Sequence, residues 1–146
     1  MRLALPLAAA LALSVPARAA EPTFYGTWLI TEAHVAPWAK AGESAFSEEE
    51  QRRLVGSKVI YRKTRIEAPS PLGCAKPHYR MLEYPPDFLF QGTLTEPAAQ
   101  AEALGFRRPM TPTLETGCEG WIDFHFVDPA TALFGLNNMI YTLRKQ

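Results

Sequence analysis

No run of about 20 apolar residues occurs anywhere in this 146-residue chain, and that absence argues against a membrane-spanning helix. A basic excess is missing too. Lys and Arg number 15 against 15 Asp and Glu, so no electrostatic footprint for nucleic acid or anionic lipid is present. Cysteine is scarce, with only Cys74 and Cys118, and the pair lacks the Cys-x-x-Cys spacing of a reactive dithiol. No Gly-x-Ser-x-Gly elbow appears, and Ser44, Ser47, Ser57 and Ser70 fall in turns or caps rather than at a nucleophile position. The histidines, His34, His78 and His125, have no metal-ligand spacing; Cys74-x-x-x-His78 comes nearest but needs a free thiolate and two further ligands. The sequence therefore calls for no metal and no cofactor. Internal repeats and low-complexity stretches are also lacking in its main part.

What is present begins with the pattern of a secretory signal peptide. Arg2 forms a one-charge n-region, Leu3 to Val15 an apolar h-region, and Ala17-Arg18-Ala19 an A-x-A cleavage site. The expectation is a signal peptide over residues 1–19 and one β-rich domain over residues 20–146, in the periplasm or secreted. Without a cysteine near the cleavage point, a lipid anchor is not expected. Cleavage would remove Arg2 and Arg18, which leaves 13 basic against 15 acidic residues and a net charge of −2. All 16 aromatic residues lie between Phe24 and Tyr141, spread as in a packed core rather than gathered in a tail.

Two cysteines in an exported chain favour a disulfide over two buried thiols. Closing the loop from Cys74 to Cys118 would stabilise the fold by about 4 kcal/mol on the chain-entropy model, less any native strain. Ten prolines between Pro37 and Pro129 cut the chain into short segments and disfavour a helical bundle. Strands are expected over Thr23 to Ala33, within Lys58 to Ala68, and over Tyr79 to Tyr84. The basic residues Lys58, Arg62, Lys63 and Arg65 read as a solvated face and a turn.

The C-terminal part carries the clearest alternation. Trp121 to Val127 sets Ile122, Phe124 and Phe126 against Trp121, Asp123, His125 and Val127. Asp128-Pro129 turns the chain into a strand over Thr131 to Phe134, and Leu136-Asn137-Asn138 is the next turn. Met139 to Lys145 closes the chain, with Met139, Tyr141 and Leu143 alternating against Ile140, Thr142 and Arg144. Two short helices are expected to flank the sheet. One starts at a capping box, Ser47 to Glu50, and runs to Val55 before Gly56; the other starts at Thr95-Glu96-Pro97 and continues until Gly105. The fold class is mainly β: an antiparallel barrel or sandwich with two short helices and one disulfide.

Gly26-Thr27-Trp28, in the first strand, resembles the Gly-x-Trp signature of lipocalin-type barrels. The resemblance implies that Trp28 closes one end of a barrel, that Arg144 of the last strand packs over its ring by a cation–π contact, and that the function is binding rather than catalysis. Its central Thr-Asp-Tyr type motif has no counterpart in this chain.

Binding residues are sought where aromatic or ionisable side chains fall on loops. His34 and Trp38 lie in His34-Val35-Ala36-Pro37-Trp38, read as a loop at a sheet end, where they line a rim or cover the core. Tyr84, Phe88 and Phe90 lie in Tyr84-Pro85-Pro86-Asp87-Phe88-Leu89-Phe90, whose contiguous apolar area is buried either in the domain or against a partner. His125 with Asp123 reads as an exposed polar strand face or, with Glu119 or Glu115, as the makings of a small hydrolase. The leading expectation is an exported, soluble, non-catalytic protein that binds a small apolar ligand or an exported protein partner. An enzyme inhibitor or immunity protein of the periplasm is the second reading, and the hydrolase using His125 with Asp123 or Glu119 the third. A ligand cavity lined by aromatics would mark a carrier; a filled barrel with Phe88 or Trp38 exposed would mark an inhibitor.

Overall fold

Eight antiparallel strands follow one another in a computed structural model that describes residues 23–40, 42 and 48–146. The strands are β1 (Gly26–Val35), β2 (Lys58–Tyr61), β3 (Ile66–Glu67), β4 (Arg80–Tyr84), β5 (Thr111–Glu115), β6 (Phe124–Asp128), β7 (Thr131–Leu136) and β8 (Met139–Lys145). They form one sheet in the order β3-β2-β1-β8-β7-β6-β5-β4, so the last strand pairs with the first and every other neighbour is next in the chain. The expected signal peptide and the Ser47 cap lie outside the described residues.

The sheet curls into a half-barrel. Tyr61 of β2 and Phe124 of β6 have ring centroids 5.4 Å apart although three strands separate them in the sheet. In a flat sheet that separation would be about 19 Å. The inner face is closed by Trp28, Ile30, Leu114, Phe124, Phe134, Tyr141 and Leu143, each 2% exposed or less. Edge-to-face and stacked ring pairs run through it, including Phe124 with Phe134 at 5.4 Å and Phe134 with Tyr141 at 5.1 Å.

The two ends of the sheet are tied across the gap. Cys74 forms an isolated bridge with Ile66 of β3, and it is disulfide-bonded to Cys118, which lies between β5 and β6, with a Cα–Cα distance of 6.0 Å. The hydroxyl of Tyr79, just before β4, donates to the carbonyl of Arg62 in the β2–β3 turn at 2.8 Å. The turn's cations stay on the surface, where Arg62 and Arg65 both pair with Glu67.

Helix α1 (Glu48–Leu54) has Glu48, Glu49 and Glu50 in its first turn and Arg52 and Arg53 in its last, which suits the helix dipole. Glu50 fastens it to the β7–β8 hairpin by accepting from Asn137 Nδ2 at 2.8 Å and from the Tyr141 hydroxyl at 3.0 Å. Helix α2 (Pro97–Ala103) begins with Pro97 after Glu96, and the Gln100 side chain takes the Glu96 N–H at 3.1 Å while donating to Thr95 Oγ1.

Several strand bounds differ from those read in the sequence. Strand β1 continues through Val35, because β8 pairs with it out to Val35↔Met139; His34 is therefore a strand residue and not a loop residue. Strand β6 starts only at Phe124, since Gly120 and Trp121 both have positive φ (89° and 51°) and break the extended run. Arg144 does not cover Trp28. Lys145 is Trp28's direct cross-strand partner and sets its Nζ 5.7 Å from the ring centroid, whereas Arg144 lies opposite Leu29 and its guanidinium is directed to Glu32 and Thr131. A period of two puts Lys145, not Arg144, on the face of Tyr141 and Leu143.

Candidate functional site

The outer face of β5–β8 is covered by the segment from Pro86 to Phe106. Leu89, Phe90, Leu94, Ala101 and Phe106 are buried there against Leu133 and Ile140, and together they make a second core. Residues Pro86–Gly92 form two short 3-10 turns joined at a kink, where Leu89 is extended and Phe90 and Gln91 have φ of 51° and 61°. The sequence segment that was read as either plug or partner surface is thus divided. Leu89 and Phe90 are core, while Phe88 is 60% exposed.

His125 holds the kink in place. It is fully buried, which corrects its reading as part of an exposed polar face. Its Nε2 accepts the Phe90 N–H at 3.0 Å, so the ring proton sits on Nδ1 and is donated to Thr113 Oγ1 at 2.9 Å; Thr113 in turn donates to the Thr111 carbonyl at 3.2 Å. Burial pushes the His125 imidazole down to about 3, which keeps it neutral. Phe90 meets the ring edge-on at 4.8 Å, and Tyr84 and Phe106 pack beside it. With both nitrogens engaged, His125 has no lone pair or proton to offer a substrate.

Trp38 completes this cover. It packs on Phe90 at 5.4 Å between ring centroids, and its indole N–H donates to the Asn137 carbonyl at 3.0 Å. Gly135 allows the contact: a Cβ there would lie 3.1 Å from Trp38 and 3.2 Å from Phe90, tighter than nearly all real contacts. His34 is elsewhere, exposed on β1 and 3.3 Å from Glu32.

Three surface depressions meet where this cover ends, and Gln91 and Asp123 line all of them. One of about 100 Å³ reaches down to Trp38, Phe90 and His125. A second, of about 280 Å³, runs past Tyr84, Glu115, Trp121 and Ile122. The third, of about 430 Å³, opens beside Phe88. Trp121 stands 82% exposed at the rim, its carbonyl accepting from the Gln91 side-chain amide. All four described non-glycine residues with positive φ, Phe90, Gln91, Trp121 and Asn137, line these depressions. Asn takes up that conformation readily in hairpin turns. For the other three it is strained backbone held by the surrounding fold, as at binding sites.

The electrostatics are acidic. The Tyr84 hydroxyl donates to Glu115 Oε1, and this bond, followed by burial, pushes the phenol up to about 12. Arg80 approaches the other Glu115 oxygen at 3.6 Å. Half-buried Asp123 has neither a hydrogen bond nor an ion pair among the described residues, and burial together with the Glu115 charge raises it to about 6.

Of the hydrolase set, His125 and Asp123 meet at the first depression and Glu119 does not join them. Glu119 lines a different surface depression, beside Ala68 and Gly73, and His125 is committed to Phe90 and Thr113. Of the serines described, Ser57 donates to the Arg53 carbonyl and Ser70 is reached by Arg53 at its own carbonyl. The Cys74-x-x-x-His78 metal reading fails because the thiolate is oxidised. Sequence reasoning missed Gln91 and Trp121. The available signal near Trp121 was Gly120, since a glycine inside or beside a strand pattern weakens it and marks a bend.

No protein-family model matches the chain, and neither curated proteins nor solved structures give a significant match. Any function must therefore be argued from this geometry.

Proposed function

We propose that this is an exported, soluble, non-catalytic binding protein that engages a protein partner through the surface around Phe88, Gln91, Trp121 and Asp123. One observation carries the reading: the inner face of the half-barrel is packed with side chains, while large aromatic side chains stand exposed at the rim of an acidic depression on the outer side. A carrier of apolar small molecules needs a concave, water-excluded cavity. Here most of the concave space holds Trp28, Phe124, Phe134 and Tyr141 instead, and what stays open is a depression of about 390 Å³ at one end, beside Met81, Pro112 and Phe126. Exposed aromatic anchors on a rigid, disulfide-tied scaffold suit protein recognition, because little ordering entropy is lost on binding. An inhibitor or immunity protein acting on an enzyme of its own compartment is the form of this function that such a surface fits. The lipocalin-type resemblance is compatible in strand order, since β8 pairs with β1, but the filled interior argues against that family's carrier role.

Native mass spectrometry of the protein isolated from its host's exported fraction tests the proposal. The expected result is a complex with a second polypeptide that is lost in the Phe88→Ala/Trp121→Ala double variant. A small-molecule adduct retained by both proteins would overturn it.

A further inference from the structure

The depression of about 280 Å³ has a composition that specifies more than a generic contact surface. Its carboxylates differ in their commitments. Glu115 is engaged by the Tyr84 hydroxyl and by Arg80. Asp123 is half-buried, faces the same depression and has no cationic or hydrogen-bonding partner among the described residues. A carboxylate that gives up hydration without a partner is a standing cost to the folded chain, and a cation brought from outside removes it. Beside it stands the exposed ring of Trp121, whose face attracts a cation. Its carbonyl is held by Gln91, so the backbone that carries the indole is fixed before any partner arrives.

We propose that this depression is a socket for an arginine side chain presented by the partner protein, with the guanidinium paired with Asp123 and stacked on the Trp121 ring. Arginine fits better than lysine for two reasons. Its planar fork pairs with a carboxylate bidentately and stacks on an indole, and it is more weakly hydrated, so entering a half-buried site costs it less. A free amine would leave Phe88 unused, whereas a protein loop that delivers the arginine would cover it. The neighbouring depression at Phe88 shares Tyr84, Gln91 and Asp123 with the socket, so one loop spans both.

This inference rests on the protein-binding reading but is tested separately from it. Blocked peptides that carry a central arginine, or the uncharged isostere citrulline, are titrated into the 15N-labelled full chain, with the Trp121 indole N–H as reporter. The arginine peptide is expected to shift that resonance to saturation, with citrulline weaker by about tenfold or more. Asp123→Asn should weaken the arginine peptide by a similar factor, and because it removes an unpaired, desolvated charge it should not harm folding. Equal affinity for arginine and citrulline, an unchanged affinity in Asp123→Asn, or no shift at the peptide's solubility limit would each overturn the socket. If the native complex survives Asp123→Asn but not Phe88→Ala/Trp121→Ala, the socket is wrong and the partner surface stands. A small-molecule adduct in place of a partner chain removes the partner surface itself.

Discussion

The two faces of the curled sheet are built on different terms. The inner face is almost wholly hydrocarbon and aromatic, drawn from seven of the eight strands, and its side chains meet because the sheet folds over them. The outer face of β5–β8 buries a neutral histidine, the three threonines Thr111, Thr113 and Thr142, and a kinked segment with left-handed residues. Apolar packing is non-directional and tolerates small errors in position. A buried hydrogen-bond chain does not: each member must be met with the right atom, and an unmet one costs about 1–3 kcal/mol. The inner face therefore supplies stability, and the outer face spends some of it to place Phe88, Gln91 and Trp121.

That division can be broken most severely at Trp28. Replacing it with alanine should destabilise the protein by about 3–5 kcal/mol in denaturant titration; a loss below about 1 kcal/mol would mean that the inner face is not the main core. Acid probes the other side. An unfolded histidine takes its proton near 6.5 and the buried His125 only near 3, so the unfolded chain binds more protons between these values. The stability contributed by His125 is thus intact above about pH 6.5 and declines as the pH falls, on the order of 3 kcal/mol by pH 4. Asp123 acts with opposite sign. Its folded value of about 6 exceeds the ordinary 3.8, so acidification through that window favours the folded state, and Asp123→Asn should make the acid loss steeper. A flat profile from pH 7 to pH 4 in Asp123→Asn would remove His125 from the core account. The smallest effect belongs to the rim. Phe88→Ala and Trp121→Ala should each change stability by less than about 0.5 kcal/mol, since both side chains are mainly in solvent. A larger loss in thermal melting would make them structural and weaken their assignment to a partner.

Much of the scaffold was readable before any coordinates. Strand β8 fell over Met139–Lys145 as its alternation indicated, the turn at Asn137-Asn138 was in place, and both helices ended at glycines in the left-handed region, Gly56 and Gly105. The Cys74–Cys118 disulfide was legible because two cysteines leave one pairing. The site was legible only in pieces. Tyr84, Phe88, Phe90, Trp38 and His125 do gather in one region, whereas His34 does not, and the roles within the group differ from expectation. Phe90 and His125 build the site from beneath, Phe88 stands at its surface, and Gln91 and Trp121 belong to it unannounced.

Sequence by itself determined much of the local structure: most of the extended stretches, though not β5 over Thr111–Glu115, most of the turns between them, which residues alternate along a strand, and which cysteines can join. These depend on neighbours along the chain, and periodicity records them directly. Tertiary structure alone decided which face would be covered and by what. His125 alternates with Asp123 as a solvated pair would, and nothing in their strand reveals that Pro86–Gly92 returns to bury one of them. That outcome depends on a contact across 35 positions, from Phe90 to His125, and on the curl that puts Tyr61 against Phe124 and so fills most of the concave side with rings.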